Sequence, residues 1–445
     1  MDFITMRQAP SKRSMRIGAG VERADEVLGK TAASNCFHYC APTHGGWGVI
    51  RTAMLVPEMY MLFVSPAACG RHGAIAAIEQ GCKERVGYLC IEEDEIVMGS
   101  CEDEIRRALP ALFPRISPRP KAFMIVVSCI DDLLGTDYDL MLADFEAAFG
   151  IPFRLGRMNP TSLDSKLPPG IRIQRDMYDF LSPGRGAEDI IGHLGAFQPI
   201  SAESELSRFL RERAGLPLVH LAQCGSFDDF QRLASARLNL VTRPEGFEAA
   251  SNLKKKLGTP FLFIPTAFSH AAIERAHGAV AGYLGREFDH GDALRLRKQS
   301  ETETREAAGQ YSIAIDDTAT CSPFDLARAL VEAGFHVKEI FTHKFPQYER
   351  PAFSWLSTHS PDTLVTSPVH HSTSWLRPKA PTADLAIGFT AGYLTQAPFV
   401  VPLAFDEGLS GHHGVCSVLG RIARAVTAPA GESLEKMVRA YGLVV

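Results

Sequence analysis

No run of about 18 uninterrupted apolar residues occurs in this sequence, so no membrane span is expected. Basic excess is also missing. Lys and Arg number 46 against 51 Asp and Glu, a formal net charge of −5, whereas a general nucleic-acid footprint needs a basic balance or stripe. Met1 to Ala19 carries Arg7, Lys12, Arg13 and Arg16 but lacks the apolar core of a signal peptide. The expected location is therefore the cytoplasm. No Gly-x4-Gly-Lys-Ser/Thr phosphate loop is found, so the chain is not expected to bind ATP itself. Repeats of solenoid period and low-complexity tracts are missing as well.

What is there is a chain of 445 residues, too long for one core and sized for two or three domains. Short apolar runs read as strands at Met61–Ser65, Ala122–Ser128, Val219–Ala222, Leu238–Thr242, Phe261–Ile264, Ser312–Ile315, Val337–Thr342, Thr363–Thr366 and Leu385–Phe389. Amphipathic stretches between them, such as Ser204–Ala214, Pro244–Leu257 and Pro323–Ala333, read as helices. The last has Ser322 as N-cap, Pro323 at the first helical position and Gly334 just past the end. This alternation predicts an α/β protein with mainly parallel sheets. Breaks at Lys166–Arg172 with Pro183–Gly186, and at the charged run Arg295–Glu306, divide it. The expected organisation is a polar N-terminal extension (1–30) and three Rossmann-like domains (31–175, 176–300, 301–445).

Ten cysteines need a reason, and a disulfide framework is the wrong one for a large cytoplasmic protein. Cys40 precedes the glycine-rich Thr43-His44-Gly45-Gly46-Trp47-Gly48. Cys69 follows the first strand, in Pro66-Ala67-Ala68-Cys69-Gly70-Arg71-His72-Gly73. Cys129 follows the second, in Ser128-Cys129-Ile130-Asp131-Asp132-Leu133-Leu134-Gly135-Thr136-Asp137. Loops past strand ends let thiolates reach a cluster, and glycine lets backbone approach sulfide. The alternative is that all three are buried structural thiols. Cys36, Cys82, Cys90 and Cys101 read as core filling.

These three segments resemble the component-1 family of nitrogenases and their relatives. Cys129, Gly135 and Asp137 form the most specific match. The Lys256-Leu257-Gly258-Thr259-Pro260 turn and the closing Gly411-His412-His413-Gly414 extend it over the chain. The resemblance implies a component-1-like fold and an iron–sulfur cluster (8Fe-7S of the P-cluster type, or 4Fe-4S) at a subunit interface, held by Cys40, Cys69 and Cys129. It also implies a homologous component-1 partner in a heterotetramer, and a separate ATP-hydrolysing iron protein as electron donor. The Ala41–Gly48 and Cys69–Gly73 motifs look most like the methylthio-alkane reductase branch, which cleaves carbon–sulfur bonds. A tetrapyrrole reductase, a scaffold for assembly of a nitrogenase-type cofactor and a non-enzymatic α/β binding protein remain as alternatives.

Where the resemblance would place the Cys and His ligands of the nitrogenase cofactor, this chain has Thr242-Arg243-Pro244 and Leu403-Ala404-Phe405. Standard dinitrogen reduction is therefore not expected. For a second, cofactor-like cluster the candidates are Cys321 and His413, with His343, His370 and His371 as catalytic proton donors at strand ends. Cys321 lies just before the helix at Pro323, which predicts a thiolate of lowered pKa. The alternative is an incidental loop thiol.

Overall fold

Strands buried on both faces lose the alternation of a half-exposed sheet and become continuous apolar runs. Ala122–Ser128 shows this, being buried at every position. The computed structural model describes residues 14–29, 48–158, 167–184, 186, 188–370, 378–427 and 433–441. Within these, fourteen strands form three sheets.

The first sheet has the order β3-β2-β4-β5, built from β2 (Met59–Ser65), β3 (Val86–Cys90), β4 (Ala122–Ser128) and β5 (Phe153–Met158). The second has the order β7-β6-β8-β9, from β6 (Glu188–Leu194), β7 (Leu218–His220), β8 (Ala236–Val241) and β9 (Phe261–Phe263). Both are wholly parallel. The third has the order β1-β12-β11-β10-β13-β14. Its strands are β1 (Ser14–Arg16), β10 (Ser312–Asp316), β11 (His336–Phe341), β12 (Leu364–Thr366), β13 (Leu385–Ile387) and β14 (Phe399–Val401). It is parallel except for β1, which runs antiparallel to β12. The expected α/β class with mainly parallel sheets is the one the chain adopts.

Three local readings come out differently. Residues 14–29, read as an extension, are tied to the third sheet: Met15, Ile17, Ala24, Val27 and Leu28 are buried in its core. The charged run Arg295–Glu306, read as a break, is the middle of the helix Gly291–Ala308. That helix buries Ala293, Arg297, Thr304 and Ala308, and Arg297 is held there by Glu301 (2.6 Å) and the Phe268 carbonyl (2.7 Å). The stretch read as a break at Lys166–Arg172 leads into the helix Pro169–Tyr178. Its Ile173, Met177 and Tyr178 join a core shared by the first and second sheets.

Candidate functional site

In parallel sheets ligands collect beyond the carboxyl ends of the strands, where loops are free to diverge. At the first sheet, β2 and β4 lie side by side, with Val64 opposite Val127. The helix Ala67–Glu79 leaves β2 with Cys69 in its first turn, and the helix Cys129–Leu134 leaves β4 with Cys129 as its first residue. Neighbouring strands thus deliver both thiols to one edge. Burial pushes the Cys69 thiol up, and the nearby Cys129 pushes it further. Both residues are only partly buried. Gly70 and Gly73 keep the Cys69 helix close: a Cβ on Gly73 would lie 2.8 Å from Ile50 Cδ1. Gly135 takes the left-handed conformation (φ +66°) just past the Cys129 helix.

Cys40 and Cys36 lie outside the described residues. Cys82 and Cys101 are buried, as expected of core thiols. Cys90 is not: it ends β3 in register with Ser65 and is exposed, because it stands at the last strand position of the same open edge.

The second and third sheets meet at a different kind of cleft. Arg243, just past β8, is 5% exposed. Its guanidinium pairs with Asp406 and with Glu245 (3.3 Å) and lies 5.9 Å from the Phe405 ring centroid. Burial alone would favour loss of its proton, but Glu245 and Asp406 hold it charged. Cys321 sits against this pair. Its N–H points to Asp406 Oδ2 (3.4 Å), its Sγ lies 3.7 Å from the Thr242 carbonyl, and the Tyr348 hydroxyl donates to its carbonyl (2.6 Å).

The expected lowering of the Cys321 thiol pKa is reversed. Burial pushes it far up and Asp406 adds to this, outweighing Arg243. The helix Pro323–Glu332 gives it no help, because Glu349 accepts from the N–H groups of Phe324 (2.9 Å) and Asp325 (3.0 Å).

Among the described residues, the candidate histidines do not gather around Cys321. His343 follows β11 and holds Asp317 at the end of β10 through Nδ1 (2.5 Å) and its backbone N–H (2.8 Å). Burial pushes the Asp317 carboxyl up, but His343 brings it below the ordinary range. His370 lies four residues past β12 and is partly buried, and His371 falls outside the described residues. His413 lies in a separate groove of about 450 Å³ with Arg208, Leu296 and Cys416. Sequence reasoning passed over Arg243, Asp406, Asp317 and Tyr348. Charged residues directly after the apolar runs at β8 and β10 were the available signal for Arg243 and Asp317.

A family model described as nitrogenase component 1 type oxidoreductase matches residues 45–426. The chain belongs to this family. Among solved structures, "Nitrogenase Cp1 at pH 6.5" superposes with a TM-score of 0.67 at 16% identity, covering 90% of this chain and 93% of that one. "Nitrogenase Cp1 at pH 5" gives 0.59 at 13% identity, covering 95% and 90%. At such identities the likeness is one of fold. No curated protein sequence matches the chain.

Component 1 type oxidoreductases bind iron–sulfur clusters and form heterotetramers served by an iron protein. The first edge fits such a group, with two thiols at helix starts on neighbouring strands. The cleft does not fit the nitrogenase cofactor. Of the two stretches where the resemblance would place its ligands, 242–244 holds Arg243 and 403–405 ends in Phe405, whose neighbour Asp406 pairs with Arg243. Among the described residues, no helix is long and apolar enough to cross a membrane.

Proposed function

We propose that this chain is one subunit of a nitrogenase-like two-component reductase, using Cys69 and Cys129, with Cys40, to hold its share of an interface iron–sulfur cluster. The observation that carries the reading is the placement of Cys69 and Cys129 at the ends of adjacent strands β2 and β4. When bound, such a cluster supplies one-electron transfer between a donor and a reduction site. The protein's part is positional. The strands fix the two helix starts, and Gly73 lets the Cys69 helix pack closely against Ile50.

The surroundings support a shared site. Val97 (77% exposed), Met98 (78%) and Leu140 (68%) stand out as large apolar side chains left in water. The helix Glu93–Met98 follows β3, and the helix Asp139–Phe149 follows the Cys129 helix. Apolar surface on the helices that follow β3 and the Cys129 helix is what a homologous partner subunit would cover. Electrons come from a separate ATP-hydrolysing iron protein in this reading. As substrate we propose a methylthio-alkane, on the strength of the Ala41–Gly48 and Cys69–Gly73 motifs. Two electrons and two protons would cleave its carbon–sulfur bond into a thiol and a hydrocarbon.

The test is anaerobic co-purification with the partner subunit, followed by iron counting and EPR. Cys69→Ala and Cys129→Ala should each lose interface iron and weaken assembly, whereas Cys82→Ala and Cys224→Ala should keep both. Full iron and unchanged spectra in the first two variants would refute the proposal. Turnover should require both ATP and the iron protein; sustained turnover on dithionite alone would remove the two-component part.

A further inference from the structure

We infer that the cleft between the second and third sheets is a closed ionic lock rather than a metal site, so that this chain holds no nitrogenase-type cofactor and the reduction site lies on its homologous partner. This rests on the reading of the chain as a component-1 subunit with an interface cluster.

Three observations carry it. First, the two stretches that would have to offer a thiolate and an imidazole to a cofactor, 242–244 and 403–405, hold no cysteine or histidine. Arg243, 5% exposed, stands in the first and pairs with Oδ2 of Asp406, 2% exposed, the residue just past the second. A guanidinium has no lone pair to give a metal. Second, the chain works to hold Asp406 there. Phe405, Asp406 and Glu407 have φ of 55°, 66° and 47°, three consecutive non-glycine residues in the left-handed region, followed by Gly408 at 71°. Such a run persists only where its surroundings dictate it. The N–H groups of Phe405 and Asp406 are tied to the carbonyls of Thr318 (2.7 Å) and Ala319 (2.8 Å). A Cβ on Gly408 would collide with the Pro199 carbonyl, in the segment after β6. The turn is thus wedged between the β10 loop and the second sheet. Third, the carboxylates beside Cys321, Asp406 and Glu245, are both paired with Arg243, and among the described residues no group of three or more His, Cys, Asp or Glu is placed to hold a metal ion. The Cys321 loop is held by the Tyr348 hydroxyl.

The experiment uses the complex purified anaerobically with its partner subunit. Iron per heterodimer and the EPR spectrum are read for the parent, Cys321→Ala, Cys321→Ser and Cys129→Ala. Cys321→Ala should keep all the iron and every EPR signal of the parent. The serine variant, nearest in volume, decides the question if the alanine variant does not assemble. Loss of a fraction of the iron on changing Cys321, with the interface signal retained, would overturn the inference and place a second cluster in this cleft. The Cys129→Ala arm tests the underlying reading separately: if it keeps its iron, the interface assignment falls, whatever Cys321 does.

Discussion

The carboxyl edge of the first sheet and those of the second and third sheets are built with opposite chemistry. The first presents Cys69 and Cys129 at helix starts and leaves Val97, Met98 and Leu140 in water. The helix carrying Cys69 has no acidic residue in its first turn. The other edges station carboxylates from distant segments on helix N-termini. Glu349 serves the helix at Pro323, Asp325 accepts from Phe268 and Ser269 ahead of the helix at His270, Asp316 accepts from Ala391, and Glu205 accepts from His412 and His413. N-terminal N–H groups are ready anion sites, and here the protein's own anions take them. Among the described residues, the Cys69 helix start lacks such a carboxylate, whereas these helix starts at the other edges are sealed from within.

Breaking the seal should give the largest effect. Asp406→Ala leaves buried Arg243 with Glu245 as its remaining partner, and breaking such a buried pair costs up to about 3–5 kcal/mol. Combining Asp406→Ala with Arg243→Met, which removes the buried cation, should recover part of this. Urea denaturation of the parent, single and double variants measures both. A single-variant cost below about 1 kcal/mol would mean the cleft is wetter and looser than its ion pair implies.

Acid should open the sealed side next. Burial holds His277 and His412 down to about 3 and His220 down to about 4. Above pH 6.5, the unfolded value, neither state is protonated at these sites and they contribute no pH dependence. As pH falls below 6.5, the unfolded chain takes up protons that the folded chain refuses. Each histidine then costs roughly 1 kcal/mol between pH 6.5 and 5.5. Asp316, pushed up to about 6 chiefly by burial, works the other way and returns part of this as pH falls from 6 towards 3.8. Denaturation midpoints against pH should therefore fall below pH 6.5, and His277→Leu should flatten the slope. A flat profile from pH 7 to 5 would contradict the buried, neutral state of these rings.

The same contrast explains what could be read from the sequence. β4 was legible because an unbroken apolar run has few other readings, and the position of Cys69 and Cys129 at strand ends was legible because each stands within a few residues of one. β1, β3, β5, β6 and β14 were missed. β1 and β14 are three residues long, and the other three each carry a glycine, which weakens a strand's signature. Gly156 in β5 lets the helix Pro169–Tyr178 come close: an added Cβ would be 3.0 Å from Val126 Cγ2 and 3.2 Å from Ile173 Cδ1. The Arg243–Asp406 pair was out of reach because its partners are 163 residues apart. No local pattern marks two charges that meet only when two sheets are packed together. The helix Gly291–Ala308 was hidden by its charge, since burial of an arginine is read only once Glu301 and a carbonyl are seen beside it.

Glycine at the sealed edge gives a smaller test. Gly388 has φ +100°, and a Cβ there would run into the Asp316 carboxylate. Gly388→Ala should cost on the order of 1–3 kcal/mol, through backbone strain and displacement of Asp316 from the Ala391 N–H. Gly186→Ala, where a Cβ meets open space and φ is ordinary, should be close to neutral. Equal midpoints for the two variants would show that the carboxylate cap is not what demands glycine at 388.

The smallest effect on folding is expected at the open edge, where it separates stability from assembly. Val97 and Met98 are 77% and 78% exposed, so changing both to serine removes little from any core. The chain's own denaturation midpoint should move by no more than about 0.5 kcal/mol. If a partner subunit covers this edge, the same apolar area leaves water only on assembly. Its loss should then weaken the complex by on the order of tenfold or more, at roughly 25 cal/mol per Å². Dilution of the purified complex, followed by mass photometry, reads that shift directly. A complex as tight as the parent would mean that Val97 and Met98 face water in the assembly too. The thiols would then have to meet their partner from the Leu134 and Leu140 side of the edge.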